Sequence, residues 1–161
     1  MISGFTLPFL TQSIAEAQLL REYMRDFLDG ELRAKFRAKL ISFSAPAGVQ
    51  IFSKVKADTV EKLKGVKIRS YDPIASALLE EVGAAPVVMS SKEIYTSVQR
   101  GVVDASLGTS SSSSARKLQE VLDYVLQWNL TFPASNGVVI GLDSFNALPK
   151  DLQDIVIEEG K

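Results

Sequence analysis

The clearest hydrophobic pattern in the chain lies between residues 63 and 104. Three short apolar runs, at residues 66–68, 87–89 and 102–104, are separated by two stretches whose apolar residues recur at helical intervals. Val66 and Ile68 alternate with Lys67 and Arg69, which is typical of a strand with one buried face. Two consecutive strand–helix–strand crossovers predict an α/β fold with a mainly parallel sheet and helices packed on it.

Helix start and stop signals support this division. Asp72 as N-cap and Pro73 at the first helical position predict where the first helix begins, and Gly83 and Gly101 predict where the two helices end. In parallel sheets of this kind, ligands bind beyond the carboxyl ends of the strands. Arg69 stands at such an end and is the first candidate site residue.

The flanking sequence predicts further elements with less regular patterns. Gly30 predicts the end of one helix and the start of a second, basic one, and a polar serine run at residues 108–114 predicts a strand end, a loop and a helix N-terminus. That serine run suits an anionic ligand or a plain capping loop equally. The remaining predictions are helices at 11–29, 31–38, 115–126 and after 149, and strands at 40–43, 49–52, 128–132 and 137–142.

Composition narrows the possible functions. The chain has 161 residues, a net charge of −1, no Cys and no His. This charge gives no basic field for nucleic acid, and the two missing residue types remove the commonest general base, thiolate ligands and cysteine nucleophiles. The composition therefore argues against an enzyme, and we expect no catalytic residue, no metal and no cofactor. No apolar window approaches the ~20 residues of a membrane span, and residues 1–10 show no signal-peptide pattern.

Arg69 carries the most specific chemistry among the candidates. A guanidinium at the carboxyl end of a strand can bind a carboxylate through two parallel hydrogen bonds. From the residues alone, an ordinary surface charge is favoured over a carboxylate anchor as the explanation of Arg69.

Several segments together resemble a known family. LKGVKIRSYD, VGAAPVVMSSKEIYTSVQRGVVDASL, KLQEVLDYV and FNALPKDLQD occur in this order between residues 63 and 154. In sequence and spacing they closely resemble the extracytoplasmic substrate-binding subunits of TRAP (tripartite ATP-independent periplasmic) transporters, dicarboxylate type.

The resemblance implies roles for particular residues. The family's substrate-binding arginine falls on Arg69, and a polar residue about forty positions later, often asparagine, falls on Thr109. Family members often have an aromatic residue that packs against the ligand, and Ser90 and Ser91 stand at that place here. A further basic residue is often found in the region that Val49 and Gln50 occupy. The other residues expected at the ligand are Tyr71, Asp72, Ser110, Trp128 and Asn136.

The resemblance also implies an architecture. Family members have two α/β lobes of the type II periplasmic-binding-protein kind and run to about twice this length. By this match, residues 1–46 are a remnant of lobe one, residues 47–134 are lobe two, and residues 135–161 return to lobe one. We therefore expect a fragment with an incomplete second lobe.

These observations favour a periplasmic solute-binding protein that captures a small organic carboxylate and delivers it to TRAP membrane subunits, without catalysis. The alternative is the effector-binding module of a transcription regulator that binds a small anion, since such modules can share the architecture. Uncovered apolar segments at residues 5–10 and 137–142 predict pairing into a homodimer.

Overall fold

The computed structural model describes residues 9–44, 48–131 and 137–160. These residues fall into two units, one formed by residues 9–10 and 48–131 and the other by residues 11–44 and 137–160. The described strands are β1 Ala38–Phe43, β2 Val49–Ser53, β3 Lys67–Ser70, β4 Ala85–Val88, β5 Ala105–Gly108, β6 Tyr124–Thr131 and β7 Gly137–Gly141. The described α-helices are α1 Ile14–Phe36, α2 Pro73–Glu81, α3 Ile94–Gln99, α4 Ser110–Ala115, α5 Leu142–Asn146 and α6 Lys150–Glu159.

A five-stranded sheet in the order β4-β3-β5-β2-β6 organises the unit that contains residues 48–131. β3 pairs in parallel with β4 and with β5, with Arg69 opposite Val87 on one side and Ser106 on the other. α2 and α3 form the two predicted crossovers. The predicted α/β lobe, with its three parallel strands in one sheet, is confirmed.

The other half of this sheet is antiparallel. β2 pairs antiparallel with both β5 and β6, so the sheet as a whole is mixed. Residues 102–104 were predicted to form the third strand, but this strand, β5, lies directly after them, at Ala105–Gly108. Gly101, at φ +72°, ends the turn after α3, and the N–H groups of Val102 and Val103 both donate to the Ser97 carbonyl instead of to a strand.

Apolar side chains cover both faces of this sheet. On the face that packs against α2, the buried core includes Ile51, Ile68, Leu79 and Leu107. On the opposite face, Phe52 packs with residues of α3, of the loop before β5 and of the segment after α4: Ile94, Val98, Val103, Leu118 and Leu122. Burial of both faces explains why the strand segments read as short apolar runs.

The predicted helix at residues 115–126 is wrong. α4 ends at Ala115, a single 3-10 turn follows at Leu118–Glu120, and β6 begins at Tyr124. Lys117 has a left-handed conformation, φ +55°, which interrupts the helix. Leu118 and Leu122 are buried as predicted, at 2 % and 6 % exposure, but they reach the core from a 3-10 turn and a loop.

In the other unit, α1 continues through Gly30, so the predicted break there is wrong. One ion pair at i,i+4 spacing, Arg33–Asp29, joins the two sides of the glycine, and a second, Lys35–Glu31, supports the turn that follows it. The helix ends instead at Arg37, which has a left-handed backbone at φ +49°. β1 follows at once and pairs antiparallel with β7 in a two-stranded sheet.

Apolar side chains are exposed in both segments predicted to be uncovered. Val138 and Val139 of β7 are 53 % and 48 % exposed, and Phe9 and Leu10 are 55 % and 46 % exposed. Residues 5–8 lie outside the described residues.

We expect Ile68→Ala to destabilise the protein strongly, because Ile68 is fully buried, at 0 % exposure, between β3 and α2. Removing such a side chain typically costs about 2–5 kcal/mol. Val88→Ala is the control, since Val88 is 67 % exposed on β4, and it should change stability by less than about 0.5 kcal/mol. Urea denaturation of both variants measures the difference, and equal midpoints would contradict this placement of Ile68.

Candidate functional site

Arg69 is held inside the sheet by backbone carbonyls. It is the third residue of β3 and is 8 % exposed. Its Nε and Nη2 both donate to the Met89 carbonyl at 3.2 Å, and Nη1 donates to the Leu107 carbonyl at 3.5 Å. The guanidinium therefore spans from the end of β4 to β5, the two strands that flank β3.

No acidic side chain in the described part of the chain forms an ion pair with this guanidinium. None of the seven ion pairs among the described residues includes Arg69. Asp72 Oδ1 accepts instead from Ala75 N at 2.8 Å, and Asp104 Oδ2 accepts from Lys67 N at 3.3 Å. Burial lowers the pKa of Arg69, the nearby charge of Arg116 adds to that lowering, and Tyr71 opposes it. A buried cation without an acidic partner is costly unless an anion reaches it.

Tyr71 lies against this cation. The centre of its ring is 5.7 Å from the Arg69 guanidinium carbon, within the range of a cation–π contact. Burial raises the pKa of Tyr71 to about 12; Asp72 adds to the rise and Arg69 opposes it. The phenol therefore stays protonated at neutral pH and can donate a hydrogen bond to an anion.

Two other predicted site residues act as helix caps in this structure. Asp72 caps α2, and its backbone carbonyl also accepts from Ser76 N. Thr109 caps α4, because its Oγ1 accepts from Ser112 N at 3.2 Å. Ser110 is exposed at the start of α4 and helps to line an open depression of about 640 Å³ with Phe52 and Leu122.

The structure does not bring Trp128 to the face of the sheet that carries Arg69. Trp128 packs against the core on the α2 face, the one that contains Ile68. Arg69 follows Ile68 in the strand and so points to the other face. Asn136 lies outside the described residues. The ligand-binding roles of these residues stay predictions.

Arg116 lies close enough for its charge to lower the pKa of Arg69, a proximity that the sequence did not indicate. It caps the carboxyl end of α4, and its Nη1 donates to the Ser112 carbonyl of that helix at 2.7 Å. Its Nε donates to the carbonyl of Ser91, which lies outside the helix, at 3.2 Å. The only signal in the sequence was a basic pair, Arg116 and Lys117, directly after the serine run. Sequence reasoning placed both residues on a helix that does not form.

Residues 9–44, 48–131 and 137–160 contain neither a metal-binding cluster nor a membrane-spanning helix. That part of the chain has no group of three or more acidic side chains able to hold a metal ion. Among its helices, none combines the length and the apolar character needed to cross a membrane.

The mixed sheet flanked by helices is that of one lobe of a periplasmic-binding-protein fold, and comparison with known proteins identifies the family. The profile of the bacterial extracellular solute-binding proteins, family 7 (DctP), matches residues 1–161. The chain belongs to this family, and the resemblance to TRAP substrate-binding subunits is confirmed.

Individual relatives match closely in structure and more distantly in sequence. A solute-binding protein of Sulfitobacter sp. (strain NAS-14.1) is 29 % identical over 139 residues, which are 83 % of this chain and 41 % of that protein. DctP6 of Bordetella pertussis, an extracytoplasmic solute receptor binding pyroglutamic acid, has a TM-score of 0.86 and 25 % identity. A TRAP periplasmic solute-binding protein of Rhodoferax ferrireducens with bound malonate has a TM-score of 0.81 and 27 % identity.

These two structures are covered only in part. Each match includes 98 % of this chain, but 52 % of the Bordetella chain and 51 % of the Rhodoferax chain. The chain thus spans about half the length of the solved relatives, as the resemblance led us to expect.

The raised pKa of Tyr71 predicts a distinct step in an alkaline titration. Absorbance of tyrosinate should show a component near pH 12, because burial keeps this phenol protonated beyond its ordinary pKa of about 10. Tyr71→Phe should remove that component. Tyr23→Phe is the control, since Tyr23 is 84 % exposed on α1. Persistence of the component in Tyr71→Phe would show that another group produces it.

Proposed function

We propose that the protein containing this chain is an extracytoplasmic solute-binding protein that captures a small organic carboxylate, without catalysis. It would act in the periplasm and deliver its ligand to the membrane subunits of a TRAP transporter. The observation that carries this proposal is the buried guanidinium of Arg69, which has no ion-pair partner among the described residues and lies on a family 7 fold.

The arrangement around Arg69 suits a carboxylate. Three of its five N–H groups are used by the carbonyls of Met89 and Leu107, which fix the plane of the guanidinium. The remaining donors have no partner within residues 48–131, and the protonated phenol of Tyr71 supplies another donor nearby. A carboxylate accepts from such an arrangement through charge-assisted hydrogen bonds.

The relatives support this ligand class over the alternative. The Bordetella and Rhodoferax proteins bind pyroglutamic acid and malonate, both of which are small organic acids. A transcription regulator module rests on shared architecture alone, and no contact in the described residues favours it.

We expect Arg69→Ala to weaken binding of pyroglutamate or malonate by about thirty- to several-thousand-fold, because a desolvated carboxylate left unpaired costs about 2–5 kcal/mol. Arg69→Lys should recover only part of the affinity, since an ammonium cannot reproduce the planar fork. Arg100→Ala is the matched control, because Arg100 is an exposed cation in the same unit. Calorimetric titration of the full-length gene product measures each constant.

Circular dichroism and urea denaturation should accompany these titrations, since Arg69→Ala also loses three hydrogen bonds to backbone carbonyls. Wild-type affinity in a folded Arg69→Ala variant would remove the residue on which the proposed function rests. An equal loss in Arg100→Ala would show that net charge, not the position of Arg69, controls binding.

We also propose that the 161-residue chain by itself forms a homodimer. The exposed valines of β7 support this, because an uncovered apolar strand favours pairing with another chain. Sedimentation at rising concentration should show a dimer, and replacing Val138 and Val139 by Glu should return it to monomer. A wild-type chain that stays monomeric at high concentration would contradict the proposal.

A further inference from the structure

A depression of about 640 Å³, which we call the α4 depression, lies beside α4 within the unit of the five-stranded sheet. Its volume is in the range of small-molecule sites, about 300–1,000 Å³. Phe52 and Val125, which pair directly between β2 and β6, give it an apolar lining together with Leu122. The polar residues that line it are Ser110, Ser113, Ser114, Gln119 and Asp123. Among its described lining residues there is no arginine, so it is separate from the guanidinium of Arg69.

The serine run of α4 divides into residues that cap the helix and residues that line the depression. Thr109 and Ser112 each accept through a side-chain oxygen from the backbone N–H of the other, and Ser111 Oγ lies 3.1 Å from Thr109 Oγ1. The remaining serines are spaced i, i+3 and i+4 and therefore share one side of the helix. They are Ser110, Ser113 and Ser114. In the described part of the chain, the hydroxyls of these three serines form no hydrogen bond, so they stay available to a ligand.

Ser113 is the least exposed of the polar residues in this lining. It is 4 % exposed, and its Oγ has no hydrogen-bond partner among the described residues. Within that part of the chain, the one side-chain nitrogen or oxygen that is both fully enclosed and without a partner is Arg21 Nε. The hydroxyl of Ser113 is therefore not closed off by protein but opens onto the depression. Because a buried hydroxyl without a partner is costly, a ligand that bonds to it is stabilised.

The charge and the hydrogen-bonding groups of the lining decide which ligands it suits. Among the described residues that line it, Asp123 is the only one with a charge, and it belongs to none of the seven ion pairs. The depression therefore repels an acid. The serine hydroxyls and the amide of Gln119 both donate and accept hydrogen bonds. An organic cation would use the acceptors alone, whereas a neutral molecule with several hydroxyls uses both kinds of group.

We propose that the α4 depression binds a neutral polyhydroxylated molecule, of the sugar or polyol class, separately from the carboxylate site at Arg69. Ser113 supplies the central hydrogen bond, and Asp123 discriminates against acids. The C–H groups of the ligand pack on Phe52 and Val125. The inference goes beyond the proposed function and does not rest on it, because no residue of the carboxylate site takes part.

The experiment follows the backbone amide signals of the 161-residue chain by NMR while sugars are added. The neutral probes are glucose, galactose and mannitol, and glucuronate and galacturonate are the acid counterparts of the two sugars. At least one neutral probe should bind with millimolar affinity and shift the signals of Ser113, Gln119 and Asp123. At the same concentration, the acid counterpart of a sugar that binds should shift these signals less, because Asp123 repels its carboxylate.

Four variants assign the binding to this lining. Ser113→Ala should weaken binding of the neutral probe about two- to tenfold, because it removes one hydrogen bond. Ser111→Ala is the matched control, since its hydroxyl lies at the helix cap, and it should leave the affinity unchanged. Gln119→Ala changes an exposed residue, so it serves if Ser113→Ala does not fold, and it should weaken binding by a similar factor. Asp123→Asn should raise the response to the acid counterpart to that of the neutral sugar.

Three results would overturn the proposal. If none of the neutral probes moves these signals, the depression is not a site for this class. If Ser111→Ala weakens binding as much as Ser113→Ala, or if both Ser113→Ala and Gln119→Ala bind as wild-type does, the ligand does not lie in this lining. If the acids shift the signals as strongly as the sugars do, the restriction to neutral ligands is wrong. None of these results bears on Arg69, which the carboxylate titrations address.

Discussion

The site depends on how the sheet holds one buried guanidinium. β3 pairs in parallel with a neighbour on each side, so the carboxyl ends of three strands lie at one edge. Arg69, near the end of the middle strand, reaches the carbonyl of Met89 on one side and that of Leu107 on the other. A planar group with donors in several directions can make both contacts, whereas an ammonium cannot do so with fixed orientation. The strand order thus places one carbonyl acceptor on each side of Arg69, and the planar guanidinium can donate to both.

β3 contributes side chains both to the apolar core and to the charged site. This is possible because successive side chains of a strand point to opposite faces of the sheet. Ile68 faces α2 and is fully buried, while Arg69 faces the other way. The residue paired with Arg69 on β5 is Ser106, which is small and 1 % exposed, and its hydroxyl donates to the same Leu107 carbonyl at 3.2 Å. A larger apolar residue at that position would compete with the guanidinium for space. The charged group therefore has polar atoms of both neighbouring strands beside it although it lies in a buried part of the sheet.

The sequence predicted the two crossovers, whose partners are close in the chain, and did not indicate how strands that are distant in the chain pair. The crossovers through α2 and α3 follow from local caps and periodicity. The antiparallel pairing of β2 with β6 joins residues about seventy positions apart, as between Ser53 and Tyr124, and no local pattern specifies it. Leu118 and Leu122 have helical spacing, yet Asp123 N donates to the Ser53 carbonyl and so starts a strand beside β2. Tertiary pairing overrode the local preference there.

Candidate site residues could be selected from the sequence only by residue type and by resemblance. Arg69 was selected because a guanidinium at the carboxyl end of a strand can bind a carboxylate, and because the family resemblance places the substrate-binding arginine there. Asp72 and Thr109 were also selected, but side chains that cap helices look the same in sequence as side chains that bind ligands. In the structure, Thr109 Oγ1 accepts from Ser112 N and lies 3.1 Å from Ser111 Oγ, so a ligand would have to displace local bonds to use it. Arg116 also caps a helix, but capping uses only some of its five donors. A guanidinium can therefore support the fold through some of its donors and keep others for an anion, whereas a capping hydroxyl has a single donor.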